Sequence, residues 1–505
     1  MTSEAARPPR SAAGASDEDY VPDRRRWWAL AVTQAAVFMS LLDVSIVNVS
    51  LPSIQRDLGA SPGAAQWVVS GYALTFGLVL VPSGRLGDTV GRRRMFLIAL
   101  VAFVATSALC GAAPSHELLV VARLLQGVAA GLLAPQTSGL IQELFRGAER
   151  GKAFGVFGST TGLATAVGPV VGGLILAAVP GPSDWRLIFY VNVPIGLLAL
   201  VLASRLVPVT PRSGWGSAHF DLVGSLLLGG GVLGLLLPLV DSSESGGLSK
   251  LWWSFLVAAV LFAAFLWWEH RTMHRGMQPL LDPRLARTPG YPPGVGIALT
   301  YYMGFTGIWL VFALFFQNGQ GYSPLRSGLM VTPFALGVAV SAVVAGGLVA
   351  RLGRWLTVIG LVAAVSGLVG TALTLRLADG GPVVWLTSVL LLVAGLGSGA
   401  VTSPNITLTL ERVPVRMAGA AGGALQTAQR IGAAIGTAAL ASVFYTVLSA
   451  TGRHYAVAIS SALLCAAGFM LLALVMAIIE TVMHRSREGS TAAPTRSSER
   501  ASHHL

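Results

Sequence analysis

Long apolar runs follow one another along almost the whole chain, and they constrain the fold more than any other feature. A transmembrane helix needs ~20 largely apolar residues to cross ~30 Å of hydrocarbon, and runs of this length are separated here by short charged or Pro/Gly-rich breaks. The pattern predicts an all-α polytopic membrane protein. Fourteen transmembrane helices are predicted, at about 27–51, 65–83, 95–113, 117–140, 153–178, 187–208, 219–240, 251–269, 293–316, 326–350, 355–376, 383–405, 418–447 and 455–480.

The composition leaves little chain for soluble domains. Only 11% of the residues are charged and 54% are hydrophobic, whereas roughly a quarter are charged in a soluble domain. The polar ends, 1–26 and 481–505, are predicted to be disordered cytoplasmic tails. A fused ATPase is excluded because a P-loop needs a lysine after a glycine-rich turn, and neither Lys152 nor Lys250 has that setting. Any uphill work must draw on an ion gradient or on another chain.

The positive charge predicts how the chain is oriented in the membrane. If both termini are cytoplasmic, 26 of the 34 Lys and Arg residues lie on the cytoplasmic side, six lie outside and two fall within spans. This is the positive-inside bias of a multi-pass protein in a cell (inner) membrane. The net charge of +12 is spread over short breaks between spans, so it predicts contact with the lipid bilayer and no nucleic-acid partner.

The sequence offers no metal centre and no enzyme active site. Cys110 and Cys465 lie singly in apolar runs, which is too few thiols for a disulfide framework or a thiolate metal site. The spans contain no cluster of His, Cys and carboxylate side chains, and no nucleophile stands beside a base. We therefore expect no metal and no cofactor.

A weak internal repeat relates two parts of the chain. The stretch 84–92 matches the stretch 346–354 at an offset of 262, with Gly, Leu, Gly and Arg kept and Asp88 replaced by Ala350. Both stretches are expected on cytoplasmic loops that follow an outside-to-inside span. Since Gly and Arg are abundant in this chain, a chance match is the alternative.

Parallel repeats are how many transporters build two halves around a site near the membrane midplane. The repeat accordingly predicts a six-helix bundle at 27–208 and a second at 293–480. Two inserted helices at 219–269 and a cytoplasmic linker at 270–292 lie between them.

Asp43 is the acidic residue that lies well inside a predicted span. A carboxylate in hydrocarbon is costly, so it must face the bundle interior and either pair with a cation or take up a proton. At 1.5 Å per residue, Asp43 lies about 13 Å and Arg123 about 10 Å below the outer ends of their helices, so the two can meet. This predicts a proton-coupling site, and the alternative is a static ion pair that only positions helices.

Other polar and aromatic side chains within spans are candidates for a substrate cavity. Arg430 lies about 16 Å inside the thirteenth run, where it either contacts substrate or hydrogen-bonds helix ends. Asn48 lies about 140° round the helix from Asp43, so the two do not form one stripe. The full candidate set, each member of which is also explained by packing alone, is Gln34, Asn48, Gln126, Gln136, Tyr301, Tyr302, Trp309, Gln426 and Arg430.

The fifth run is unusually rich in glycine. Its Gly168 and Gly172 have the four-residue spacing that lets two helix backbones approach closely, and Pro169 removes a backbone donor and favours a kink. Such a helix suits bending or sealing during transport, and simple tight packing is the alternative. The candidate residues are Gly162, Gly168, Pro169, Gly172 and Gly173.

These motifs, in this order, resemble the major facilitator superfamily and, within it, the fourteen-spanning drug:H+ antiporters. The stretches that carry the resemblance run from the first helix to the thirteenth, and the two tails are not covered. They are 42–52, the loop 84–94, 123–127, 162–173, 184–196 and 429–432.

The resemblance implies the major facilitator fold, with two six-helix bundles plus two inserted helices. It implies proton transfer at Asp43 and Arg123. It also implies that Asp88 and the following arginines form a cytoplasmic charge network, anchored on a helix end of the opposite half, that holds the outward-facing state. The loop residues concerned are Gly84, Asp88, Gly91, Arg92 and Arg93.

The sequence therefore predicts a proton-coupled antiporter that exports hydrophobic or amphipathic small molecules, such as a drug, dye or antibiotic. We expect it to be multi-pass and to work as a monomer, without ATP. An importer or uniporter of a small metabolite is the second transport hypothesis. A receptor, scaffold or enzyme that transports nothing is the hypothesis from a different class.

Overall fold

The computed structural model describes residues 25–209 apart from 179, 180 and 182, together with 221–240, 251–377 apart from 276 and 278, and 382–491. Within these ranges the regular structure is helical throughout. The α-helices, in chain order, are α1 (Arg25–Leu58), α2 (Pro62–Val90), α3 (Arg92–Ala112), α4 (His116–Leu144), α5 (Gly147–Ala178), α6 (Arg186–Tyr190), α7 (Asn192–Leu206), α8 (Leu222–Val240), α9 (Trp253–His274), α10 (Tyr291–Phe305), α11 (Gly307–Ala313), α12 (Pro324–Leu352), α13 (Trp355–Leu377), α14 (Pro382–Leu410), α15 (Ala418–Ala450) and α16 (Tyr455–Thr491).

Twelve stretches of the described chain are helical, long enough and apolar enough to cross a membrane. Two of them are composite: α6 continues into α7, and α10 and α11 continue into a π turn at Leu314–Gly319. The glycine-rich α5, with 32 residues, and the short apolar α8, with 19 residues, stand outside the twelve. They account for the difference from the fourteen spans that the apolar runs predict.

The repeated motif lies on helices, which corrects the expectation of two loops. Backbone bonding of α2 continues to Gly91, whose N–H donates to Gly87 at 3.1 Å. The chain turns only at Gly91, where φ is 101°, a value that favours glycine. The second copy likewise runs to the end of α12 before Gly353, at φ 53°. Polar residues end an apolar run without ending the helix, because the backbone bonds do not depend on hydropathy.

Two predicted boundaries also shift at the ends of the chain. Arg25 and Arg26 already belong to α1, and α16 extends to Thr491, so 481–491 is helical and not part of a disordered tail. Residues 1–24 and 492–505 lie outside the described residues. In the predicted linker, α9 continues to His274 and a 3-10 turn occupies Pro283–Arg287.

Helices α2 and α4 pack closely through glycines. A Cβ added at Gly127 would collide with the carbonyl oxygen of Tyr72, and one at Gly131 with the Phe76 carbonyl group, whose carbon would lie 3.2 Å away. These positions hold two backbones together, because any larger side chain would force the helices apart.

The same contact recurs between α12 and α14. A Cβ at Gly395 would collide with the carbonyl oxygen of Phe334, and one at Gly399 would collide with that of Val338. Phe334 and Val338 follow Tyr72 and Phe76 at the offset of 262 that relates the two motif copies. The repeat is therefore expressed in helix packing as well as in sequence. We call α1–α7 the first half and α10–α16 the second half.

The two halves meet along two glycine-lined contacts. In one, Gly155 of α5 lies so close to α12 that an added Cβ would stand 2.8 Å from the carbonyl oxygen of Ala342. In the other, Gly84 of α2 lies against the backbone of Gly419 in α15, where an added Cβ would collide with the Gly419 carbonyl oxygen. Gly423 makes a similar approach to Leu80 one turn deeper. Each contact thus joins one helix of the first half to one helix of the second, α5 to α12 and α2 to α15.

Helices α8 and α9 form an additional pair that packs against α2 of the first half and α15 of the second. The carboxylate of Asp221, just before α8, accepts from Trp268 Nε1 of α9 at 2.9 Å. The buried Glu269 accepts from the backbone N–H of Leu281 at 3.3 Å. The pair is thereby tied to the segment that leads into the second half.

The α12–α14 contact predicts a difference between two glycine substitutions. Gly395→Ala should lower the free energy of unfolding by about 1–3 kcal/mol, because the new methyl group meets backbone atoms and forces the helices apart. Gly347→Ala in α12, where nothing lies within 4 Å, should be neutral or slightly stabilising. Thermal unfolding midpoints in one detergent compare the two variants, and equal shifts would contradict the packing described.

Candidate functional site

A buried ion pair joins α1 to α4. Asp43 Oδ2 lies 2.5 Å from Arg123 Nη1, and the two residues are 1% and 0% exposed. Asp43 lies halfway along α1, and Arg123 stands in the second turn of α4. The structure thus brings together the two residues that the depth argument places at one level of the membrane.

Two amide side chains complete the surroundings of the carboxylate. Asp43 Oδ1 accepts from Asn192 Nδ2 at 2.8 Å and from Gln126 Nε2 at 3.2 Å. Asn192 begins α7, and its amide also donates to Ser107 Oγ of α3 at 3.1 Å. The carboxylate is therefore reached by side chains of α4 and α7 as well as by the guanidinium.

The guanidinium of Arg123 is held less completely than the carboxylate. Its Nε donates to the carbonyl of Val68 in α2 at 2.9 Å, and its Nη1 also donates to Gln126. Its Cζ lies 4.2 Å from the centre of the Tyr72 ring. Its Nη2 is buried and has no hydrogen-bond partner among the described residues. A buried donor without an acceptor is costly, so the guanidinium is less completely satisfied than the carboxylate.

Sequence reasoning missed Asn192 and Tyr72 as members of this site. Asn192 is an amide at the start of a strongly apolar run, and Tyr72 is a hydroxyl-bearing ring in another. Their isolation in apolar surroundings was an available signal, because a polar group inside a span needs a partner.

Asp88 forms a joint between the two halves at one end of the bundle. We call this the Gly91 end, after the turn between α2 and α3. Asp88 Oδ1 and Oδ2 accept from the backbone N–H groups of Gly419 and Ala420, each at 3.1 Å. These are free donors in the first turn of α15, where the helix dipole also favours an anion. The acid thus caps a helix of the opposite half.

Arg92 extends this joint. Its Nη2 bonds Asp88 Oδ1 at 2.9 Å and donates to the carbonyl of Val415 in the second half at 2.6 Å. Its Nη1 donates to the carbonyl of Gly139 and lies 3.4 Å from Glu143. Arg93, by contrast, donates to Ser204 within the first half. The motif thus supplies one arginine, Arg92, that bonds across the two halves and another, Arg93, that bonds within the first half.

Apolar side chains fill the space behind the joint. Phe145 and Phe154 from the first half belong to one buried cluster with Leu410 and Leu425 from the second. Each of the four is at most 1% exposed. The Gly91 end is therefore closed between the halves.

The second copy of the motif uses a different acid. Ala350 occupies the position of Asp88, and Arg354, the counterpart of Arg92, pairs with Glu480 of α16 at 2.7 Å. Arg354 also donates to Asn405 Oδ1 at 2.7 Å. These contacts stay within the second half, so the inter-half joint is made by the first copy.

The glycines of α5 serve two neighbours. Gly168 and Gly172 face α1, where an added Cβ at Gly168 would collide with Ser45 and one at Gly172 would lie 3.3 Å from Ile46. Gly162 faces α12, with Val338 2.8 Å from an added Cβ. A Cβ added at Gly173 would have no atom of another described residue within 4 Å, apart from its own helix backbone. The side chain of Pro169, where a kink is predicted, lies outside the described residues.

The candidate cavity residues do not form one group. Gln126 belongs to the Asp43 site, and Gln136 joins α4 to α2 through Ser83 at 2.9 Å. Tyr301 is buried and donates to the carbonyl of Ser398 at 3.2 Å. The contacts of Gln136 and Tyr301 are those of packing residues. Gln34 is buried, and its two amide atoms have no hydrogen-bond partner among the described residues. The side chain of Asn48 lies outside those residues.

The remaining candidates are half-buried in the bundle interior. Arg430 places its Cζ 4.3 Å from the centre of the Phe76 ring across the inter-half contact. Tyr302 and Trp309 pack with Phe305 and Phe334, at ring separations of 5.5–6.4 Å across this cluster. Gln426 lies one turn before Arg430 on α15.

Comparison with known proteins identifies relatives along most of the chain. The sequence profile of the Major Facilitator Superfamily matches residues 35–437. The chain is 36% identical to a probable actinorhodin transporter of Streptomyces coelicolor, over 85% of this chain and 74% of that protein. It is 40% identical to a puromycin resistance protein of Streptomyces alboniger, over 84% and 82% of the two chains. It is 33% identical to the multidrug resistance protein Stp of Mycobacterium tuberculosis, over 85% and 78%.

Solved structures have the same fold. A human organic anion transporter superposes with a TM-score of 0.65 at 15% identity, covering 90% of this chain and 99% of that one. A proton:xylose symporter superposes with a TM-score of 0.60 at 17% identity, covering 88% and 95%. At these identities the likeness concerns the fold alone.

The Asp88 joint predicts how the Gly91 end responds to mutation. Asp88→Ala removes the acceptors for two helix N–H groups and the partner of Arg92, so the halves should separate there more often. A cysteine at Ala421, which is buried, should then react several-fold faster with a maleimide, in a chain whose Cys110 and Cys465 are replaced by alanine. Arg93→Ala is the matched control because Arg93 bonds within its own half. Unchanged labelling in Asp88→Ala would refute the joint.

Proposed function

The chain belongs to the major facilitator superfamily and is a multi-pass membrane transporter, not an enzyme; on that premise we propose that it is a proton-coupled antiporter exporting hydrophobic or amphipathic small molecules by alternating access. We place it in the fourteen-spanning drug:H+ antiporter group. It works as a monomer, with protons as the coupling ion and without ATP.

The buried Asp43–Arg123 pair is the observation that carries this proposal. A buried carboxylate with an adjustable cation is a group whose proton affinity depends on the helix arrangement. In the proposed cycle Asp43 binds a proton from outside while substrate leaves, and it loses the proton towards the cytoplasm. When Asp43 is neutral, Arg123 loses its counter-charge, and the contact between α1 and α4 weakens.

Helix α5 supplies a route from this site to the inter-half contact. Ser45, two residues beyond Asp43, packs on Gly168 of α5, while Gly155 of the same helix packs on α12. A shift of α1 that follows proton binding is therefore felt at the contact between the halves. We propose that this is how protonation is coupled to alternating access.

The Gly91 end is proposed to be the cytoplasmic end. With it closed by Asp88, Arg92 and the apolar cluster, the arrangement described corresponds to an outward-facing state. The excess of Lys and Arg at this side supports the assignment, since positive loops stay in the cytoplasm. Both termini are then cytoplasmic, in the cell (inner) membrane.

We further propose that α5 and α8 also cross the membrane, which gives fourteen spans. The 32 residues of α5 exceed the length that a bilayer needs. The 19 residues of α8 match it, and α8 pairs with α9, which is itself a candidate span. The halves then form two six-helix bundles, with α8 and α9 inserted between them.

The names of the relatives support export of drugs or antibiotics. They are described as a probable actinorhodin transporter, a puromycin resistance protein and a multidrug resistance protein. The half-buried Arg430, Gln426, Tyr302 and Trp309 are the proposed substrate contacts, because they combine apolar rings with polar groups in the bundle interior.

Replacing the proton carrier predicts loss of coupling. In inside-out vesicles with an imposed pH gradient, Asp43→Asn should abolish gradient-driven dye uptake, because the amide is similar in shape but takes up no proton. Glu149→Gln is the control, since Glu149 is a half-exposed carboxylate whose side chain is 42% accessible. Full gradient-driven transport by Asp43→Asn would remove Asp43 from the mechanism.

The span count predicts which side residue 245 faces. With α8 and α9 both spanning, Ser245→Cys between them should be labelled by a membrane-impermeant maleimide applied to intact cells lacking the two native cysteines. Thr288→Cys, in the segment before α10, should be labelled only after the cells are permeabilised. Labelling of position 245 only after permeabilisation would contradict fourteen spans.

A further inference from the structure

Arg430 is a cation in the interior of the bundle. It lies in α15 about 15 Å beyond Ala420, which belongs to the Asp88 joint, and so near the middle of the membrane. Among the described residues it makes no salt bridge and no hydrogen bond, and its guanidinium rests on the face of Phe76 at 4.3 Å. A charge at this depth is costly unless it is paired or faces water.

The surroundings of Arg430 make its position electropositive. The Phe76 ring stacks with the Tyr72 ring at 6.2 Å, and Arg123 covers Tyr72. The guanidiniums of Arg123 and Arg430 thus lie on two neighbouring rings. Asp43 is committed to Arg123 at 2.5 Å, so the unbalanced charge belongs to Arg430.

Further aromatic rings lie beside Arg430 on α10 and α11 of its own half. Helix α15 packs closely on α10, where a Cβ added at Gly432 would collide with the carbonyl oxygen of Leu299. Tyr302 lies one turn beyond Leu299, and the Arg430 charge acts on its hydroxyl. Phe305 and Trp309 continue the half-buried ring cluster along α10 and α11. A planar ligand thus finds ring faces beside a free guanidinium.

We propose that the substrates are acidic aromatic molecules, whose carboxylate, phenolate or enolate binds Arg430 while their rings lie against Tyr302, Phe305 and Trp309. This inference rests on the proposed export function and specifies its substrate class. A guanidinium presents a planar fork of donors that matches a carboxylate with two hydrogen bonds. A cationic ligand at the same place meets an uncompensated like charge.

Two dyes with one ring system test the charge preference. Fluorescein carries a carboxylate and a phenolate at neutral pH, and tetramethylrosamine carries a positive charge and no carboxylate. Purified wild-type protein in detergent should bind fluorescein at least ~10-fold more tightly than tetramethylrosamine, as measured by fluorescence anisotropy. That factor corresponds to about 1.4 kcal/mol, a modest value for a buried charge-assisted hydrogen bond.

Variants at position 430 separate recognition from packing. Arg430→Gln should weaken fluorescein binding at least ~10-fold and leave tetramethylrosamine binding unchanged or stronger, while Arg430→Lys should retain part of the preference. Arg326→Gln is the matched control, since Arg326 also lies over an aromatic ring, that of Tyr322 at 3.9 Å, but is exposed. A general packing defect would weaken binding of both dyes equally.

The binding experiment and the transport experiment can fail independently of each other. Equal binding of the two dyes by the wild type, or an unchanged preference in Arg430→Gln, would overturn the inference even if gradient-driven export were present. Tight, Arg430-dependent fluorescein binding without gradient-driven flux in vesicles would support the inference and overturn the proposed function. Equal loss of both dyes in Arg430→Gln and Arg430→Lys would show that Arg430 packs helices, and would also overturn the inference.

Discussion

A charge inside hydrocarbon must have a counter-charge or water, and that constraint organises this protein. Asp43 meets it with Arg123, and the pair in turn fixes how α1, α2, α4 and α7 sit together, because each of the four supplies a contact to it. Arg430 meets the same constraint in another way, by lying on an aromatic ring and remaining half-buried. The charges at this depth therefore separate into a pair, Asp43 and Arg123, that is balanced inside the protein, and a cation, Arg430, that has no counter-charge among the described residues.

The helices of the two halves pack in the same way, but the two halves carry different polar and aromatic side chains. Glycines place α4 on α2 and α14 on α12 in the same register, so the internal repeat specifies the scaffold twice. The first half carries the ion pair, and its copy of the motif reaches across to the other half through Asp88. The second half keeps Arg354 and Glu480 to itself and contributes aromatic rings. Because the side chains of the two halves differ on one repeated framework, the ion pair lies in the first half and the ring cluster in the second.

The sequence predicted the helical class, the repeat and the meeting of Asp43 with Arg123, because hydropathy and the rise per residue act locally. It misplaced the ends of α2 and α16, because polar residues end an apolar run before they end a helix. It gave no direct sign that Asn192 approaches Asp43 or that Gln136 and Tyr301 are packing residues. Those assignments depend on how helices rotate about their axes, which is settled by contacts between distant parts of the chain.

The contacts that α2 makes lie on a row that winds around the helix. Contacts recur every fourth residue, and since four residues turn an ideal helix by about 400°, each contact is rotated about 40° from the last. Over about 30 Å the row therefore winds through roughly 200°, beginning against Arg123 of its own half and ending against α15 of the other half. Because all these contacts are made by one helix, a rotation of α2 about its axis changes the contacts at both of its ends. The row consists of Val68, Tyr72, Phe76, Leu80, Gly84 and Asp88.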